Sequence, residues 1–259
     1  VSNWDDLEPI DQYMMAKTAQ LLADVEQAYD SFKFNGVYRA VYDFVNDLSS
    51  VYMDVTKDRL YSESPDSPRR RAVQTVLFNI LEVLVRVLSP ILSFTADEVW
   101  ECYPEAMRNR EGRVCNVQLA GWPHRSDFVP ALPGKAAEDK VLAAFGGALE
   151  VRDVVTKALE DARGAKVINK SQEATVSVTA PQATLDALSA FDASVFEELF
   201  IVSGVTFAAG DELACEVKPA EGDKCPRCWN YRELGGNANH ADVCQRCGDA
   251  LDAIGFTEE

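Results

Sequence analysis

The chain has 259 residues, 47% of them hydrophobic and 26% charged, which suits two globular domains or two plus a small module. It holds no run of roughly 18 uncharged apolar residues, excluding a transmembrane helix. Lys and Arg number 25 against 42 Asp and Glu, and the resulting charge of −17 opposes diffuse binding to nucleic acid or an anionic membrane. Any nucleic-acid site must therefore be a local patch.

The opening residues, Val1-Ser2-Asn3-Trp4-Asp5-Asp6, lack the regions of a signal peptide, and the missing Met reads as the mark of a piece of a longer chain. A first helix carries Ile10, Tyr13, Met14, Leu21, Val25, Ala28 and Phe32, with a break at Lys17. In the second, Val37, Val41, Phe44, Leu48, Val51 and Val55 step by four and three. After a polar linker, Ser67-Pro68 reads as a cap with Pro at the first helical position. The third helix, Val73 to Leu88, stops at Pro90, and Thr95 with Glu98 reads as a capping box for a fourth. Short connections make these an antiparallel bundle. A connection over 104–134 packs on it through Val117, Leu119 and Trp122.

A fifth helix is expected over about 136–162. The period then changes: Ala174, Val176, Val178 and Ala180 alternate with Thr175, Ser177 and Thr179, as in a strand facing a core. Residues 182–191 read as helical, 199–207 as extended, and Leu213, Cys215 and Val217 alternate again. The fold class is mainly α: a bundle over 1–134, a long helix plus small α+β unit over 135–218, and a cysteine module over 219–259.

Seven cysteines are present. Cys102, Cys115 and Cys215 are scattered, while Cys225, Cys228, Cys244 and Cys247 form two C-x-x-C pairs with 15 residues between them. The odd total and the absence of a secretory signal point to a reducing, cytoplasmic setting. Zinc favours four thiolates in a tetrahedron, and each C-x-x-C turn offers two, giving a closed structural site and a zinc ribbon. Disulfides or a redox pair are the alternatives. Gly248 suits a tight backbone after the second pair, and His240 reads as a surface or outer group.

Trp229 follows the first pair, as a plug for a small module or a base-stacking platform. Lys218, Lys224, Arg227, Arg232 and Arg246 balance five acidic residues over 218–250, which permits a phosphate partner. A second basic patch joins Lys57 and Arg59 to Arg69, Arg70 and Arg71. The triplet lies near a helix N-terminus, where the dipole gives it nothing, so phosphate contacts are a reasonable role. Catalytic constellations are poor: His124 and His240 are 116 positions apart, and no Gly-rich phosphate loop, G-x-S-x-G or H-E-x-x-H occurs.

Tyr52-Met53-Asp54-Val55-Thr56-Lys57-Asp58-Arg59-Leu60-Tyr61 and Ser89-Pro90-Ile91-Leu92-Ser93-Phe94-Thr95-Ala96-Asp97-Glu98-Val99-Trp100 resemble landmarks of the anticodon-binding domain of class I isoleucyl-tRNA synthetases. Cys225-Pro226-Arg227-Cys228-Trp229 and His240-Ala241-Asp242-Val243-Cys244-Gln245-Arg246-Cys247 are similar to the C-terminal zinc module of the bacterial members. The resemblance implies the non-catalytic C-terminal part of such an enzyme. It would bind tRNA, work beside catalytic and editing domains elsewhere in the parent chain, and aminoacylate nothing alone, since His-x-Gly-His and Lys-Met-Ser-Lys-Ser motifs are missing here. It further implies one zinc on Cys225, Cys228, Cys244 and Cys247, stacking by Trp229, and tRNA-facing roles for Lys57, Arg59, Arg69, Arg70 and Arg71, with Arg227, Arg232 and Arg246 in the zinc module. Residues 165–171 depart from the Lys- and Gly-rich pattern of relatives, so no contact is carried over to Lys166 or Lys170. The equivalent region of another class I synthetase and a protein-docking module are the competing expectations.

Overall fold

The computed structural model describes residues 1–108 and 112–257. The chain packs as two compact units, neither continuous in sequence: Val1–Ser50 with Ala72–Asp139, and Val51–Arg71 with Lys140–Glu259.

In the first unit, α1 (Pro9–Asp30) and α2 (Phe34–Asp47) pack against α4 (Pro68–Leu88), which belongs here from Ala72 onward. Met14, Met15, Val25, Val37, Val73, Val76 and Val87 are buried at its centre. Lys17 pairs with Asp47 at 3.0 Å, and the Tyr29 hydroxyl donates to the Val87 carbonyl at 2.9 Å. These contacts set α2 antiparallel to α1 and α4 parallel to it, as alternation along a bundle requires. Helix α1 runs unbroken through Lys17, where the apolar spacing is interrupted, and the cation there finds its carboxylate partner on α2. Helix α5 spans Ser93–Glu101 and starts two residues before Thr95, so the expected capping box is not formed. Val117 is buried beside Trp100 and Trp122 meets the Tyr29 ring edge at 5.5 Å, whereas Leu119 is exposed.

Helix α2 does not stop at Asp47. It continues through a π-helical segment, Leu48–Tyr52, into α3 (Met53–Ser62). The Ser49 and Ser50 hydroxyls both donate to the Asn46 carbonyl, at 3.2 and 2.7 Å, competing with backbone N–H groups for that acceptor. The wider turn inserts one residue into the helical repeat and buries Tyr52 while Val51 stays partly exposed. The boundary between the two units falls inside this segment.

The second unit holds a three-stranded sheet. Between α4 and this sheet the chain forms the short α6 (Glu105–Arg108), in the first unit, and the long α7 (Lys135–Gly164). Strand β1 (Ala174–Ala180) lies between β2 (Gly204–Ala209), parallel to it, and β3 (Ala214–Pro219), antiparallel. Ala174, Val176, Val178 and Ala180 are buried, as their alternation predicts. Helix α8 covers Gln182–Leu188, and α9 covers Ala193–Phe200, where the extended reading from 199 fails. Phe196, Leu199 and Phe200 fall on one helical face, and Phe196 packs edge-on against Phe207 of β2 at 4.9 Å. Two short strands, β4 (Asp223–Lys224) and β5 (Tyr231–Arg232), and α10 (Gln245–Ala253) complete the unit. Among the described residues no helix is long and apolar enough to cross a membrane.

Candidate metal centre and nucleic-acid interface

Cys225, Cys228, Cys244 and Cys247 are all buried, with their sulfur atoms within 4.8 Å of one another. The Cys228 and Cys244 sulfurs are 3.8 Å apart. Four thiolates at about 2.3 Å from a tetrahedral zinc stand about 3.8 Å apart, whereas a disulfide requires about 2.05 Å. The donor set therefore fits zinc. Thiol donors from Cys228 and Cys247 lower the Cys244 thiol, as sulfurs crowded this closely share their protons.

The first turn closes where the Trp229 N–H donates to the Cys225 carbonyl at 2.9 Å, and the Cys244 N–H points at the Cys225 sulfur at 3.4 Å. Cys244 caps α10, placing Cys247 in that helix's first turn. Gly248 matters for a reason different from backbone freedom: a Cβ there would lie 2.4 Å from that of Asn237. The Asn237 amide donates to Asp249 at 3.1 Å and Asp252 at 2.7 Å, tying the preceding loop to α10. His240 is buried 3.4 Å from Asp252, outside the sulfur cluster.

Cys102 and Cys115 are exposed, while burial pushes the Cys215 thiol up to about 11. A colorimetric thiol titration of the zinc-loaded chain should find Cys102 and Cys115 fast and Cys215 slow. The other four should react only after chelation; immediate reaction of a C-x-x-C pair would restore the redox alternative.

Trp229 is no plug. It is 48% exposed, and the small core around the sulfurs uses Val243, Leu234 and Leu251 instead. Its backbone takes φ +67°, a left-handed conformation that costs a non-glycine residue roughly 1–3 kcal/mol and that closes the turn after Cys228. The Lys170 ammonium sits 4.1 Å from the ring centroid and that of Lys224 5.6 Å. Lys170, to which no role was carried over, thus belongs to this surface. Only the fold brings it there: Glu173 accepts from the Asn169 N–H at 2.9 Å and orients the loop before β1.

The basic patches divide into two classes. Arg59 is 1% exposed; its Nε donates to Glu198 Oε1, and its Nη2 to Oε2 at 2.6 Å. Arg69 reaches the same Glu198 carboxylate at 2.9 Å and Glu63 at 2.8 Å. Arg246 binds Asp58, Arg227 donates to the Ser62 carbonyl, and Arg232 pairs with Glu197 at 3.2 Å. These five arginines have internal partners, and a buried Arg59 cannot meet a phosphate. Arg70 donates to the Glu63 carbonyl at 3.3 Å. The solvent-facing cations expected here are Lys57, paired with Asp54 at 2.7 Å, and Arg71, paired with an exposed Asp66 at 2.9 Å.

Residues 11–178 match the family model described as the anticodon-binding domain of tRNA ligase, and residues 222–249 match a zinc finger found in FPG and IleRS. The chain is 40% identical over 93% of its length to the isoleucine–tRNA ligase of Geobacillus kaustophilus, covering 26% of that protein. It is 35% identical to that of Syntrophomonas wolfei over 96% of its length, and to that of Kosmotoga olearia over 99%. It spans about a quarter of the length of these relatives, 26–28%. Together with the sulfur geometry, the zinc-finger match makes the four cysteines the site of one structural zinc ion. The chain therefore belongs to the family of anticodon-binding domains of tRNA ligases, in the form that the isoleucine ligases carry.

Proposed function

We propose that this chain recognises the anticodon stem-loop of an isoleucine tRNA in the cytoplasm, on behalf of catalytic and editing domains of a longer synthetase chain. The observation that carries this reading is Trp229, half-exposed, in a left-handed backbone conformation and flanked by Lys170 and Lys224. An unstacked loop base offers a π-face to the indole, and its flanking phosphates meet the two ammonium groups. Lys57 and Arg71, the solvent-facing cations, supply further phosphate contacts. The chain's net charge of −17 limits adhesion to other nucleic acids. Arg59, Arg69, Arg227, Arg232 and Arg246 shape this surface through their internal partners.

The test is a titration with an isoleucine tRNA transcript and with the same transcript carrying a changed anticodon, at two salt concentrations. Preference for the matched anticodon, weakening as salt rises, is the expected result; equal and weak binding to both would remove the reading. Trp229→Ala should weaken matched binding by about 1–3 kcal/mol, roughly 5- to 150-fold, with the salt slope preserved. Lys170→Met should instead flatten the slope of log K against log salt by about 0.7, one phosphate contact to a single strand. Unchanged binding of the matched transcript by Trp229→Ala would argue against base stacking.

A further inference from the structure

Each cysteine turn carries an arginine in the same place: Cys225-Pro226-Arg227-Cys228 and Cys244-Gln245-Arg246-Cys247. Both arginine side chains end on one helix, α3. Arg246 grips Asp58 with both terminal nitrogens, Nη2 to Oδ1 at 2.9 Å and Nη1 to Oδ2. Arg227 Nη1 donates to the carbonyl of Ser62, the last residue of that helix. Asp58 and Ser62 are four residues apart and share a face. The two contacts differ in kind: a bidentate fork on a carboxylate, and a cation on the carbonyl end of a helix. The Arg246 and Asp58 side chains are only 31% and 29% exposed, which shields the pair from salt. Four thiolates around a divalent ion keep a net charge of about −2. An arginine inside each turn lies beside that charge, so zinc binding and the grip on α3 support each other.

We propose that Arg227 and Arg246 form a two-armed clamp on α3, with Asp58 as the positioning residue that fixes the zinc module and the aim of Trp229. This deepens the anticodon reading and rests on it for the RNA readout alone. One arm is adjacent to Cys228, which precedes Trp229, so tilting of the module redirects the indole and separates it from Lys170, which belongs to a different segment. Asp58 has no part in touching RNA, and its effect passes through Arg246.

The experiment uses the zinc-loaded chain labelled with 5-fluorotryptophan, the Trp229 resonance being assigned by Trp229→Phe. Asp58→Asn and Asp58→Ala should keep one zinc per chain, yet shift and narrow the Trp229 fluorine signal. Their affinity for an isoleucine anticodon stem-loop should fall by roughly five- to tenfold. Exchanging the charges, Asp58→Arg with Arg246→Glu, should restore both readouts, which a merely destabilising lesion would not do. Arg246→Lys keeps the charge but loses the fork and should behave as Asp58→Asn. An unchanged Trp229 signal in Asp58→Ala, or no recovery in a charge exchange that still binds zinc, overturns the clamp. A shifted signal with rescue, in a chain whose wild type ignores the RNA, upholds the clamp and removes the anticodon reading instead.

Discussion

Chelating the metal, or replacing Cys228 by Ser, is expected to unfold residues 223–257, from β4 onward, while the three-stranded sheet and the bundle persist. This module has almost no other source of stability. Its core consists of the four cysteines and Val243, with Leu234 and Leu251 half-covered against them. Strands β4 and β5 are two residues each, and α10 is nine residues, too short to persist alone. Apolar burial on this scale cannot offset the ordering entropy of the loop. Zinc in comparable small sites supplies roughly 10–16 kcal/mol of apparent folding energy at neutral pH. Amide exchange should lose protection across α10 and the cysteine turns, with β1 unaffected. The same loss should follow acidification, since protonated thiols release zinc. A Cys228→Ser chain with stoichiometric zinc and intact protection of α10 would contradict this account.

How much of this could be read from the sequence depends on the distance over which the cause acts. The cysteine turns are local, and their spacing alone indicates their chemistry. The alternation from Ala174 to Ala180 predicts strand β1 because one side of the sheet is buried and the other is not. Local signals mislead where a distant partner decides. Lys17 looks like a break in an apolar stripe until Asp47 is seen across from it. The Ser49–Ser50 pair hides a π-helical turn within regular four-three spacing. The apolar stretch before β2 gives a short run that periodicity cannot divide between helix and strand, and α9 takes its first part. The basic residues show this most clearly. Composition marks Arg59 and Arg69 as a phosphate-binding patch, but their carboxylate, Glu198, lies more than 120 positions away. Lys170 is the reverse case, with an unremarkable sequence context and a place beside Trp229.

Truncating Glu198 is the second large effect to expect. Its carboxylate receives Arg59 through Nε and Nη2 and Arg69 through Nη2, with Glu63 balancing the second arginine. Two guanidinium groups and two carboxylates leave this network neutral. Glu198→Ala leaves Arg59, 1% exposed, as a buried charge without its carboxylate, a change that typically costs about 3–5 kcal/mol. The denaturant midpoint should drop accordingly, with the slope unchanged for a folded state of similar compactness. Removing both charges, Arg59→Met with Glu198→Leu, should recover much of the loss, because the desolvation of both ions disappears with their attraction. The exposed pair Lys57–Asp54 provides the contrast, and Asp54→Ala should change stability by no more than about 1 kcal/mol. If Glu198→Ala were as mild as Asp54→Ala, the arginine would have found water or another partner. Arg59 would then again be a candidate for phosphate, as composition alone suggests. A large loss recovered by the double substitution instead makes the network a structural scaffold and leaves Lys57 and Arg71 as the cations proposed to meet phosphate.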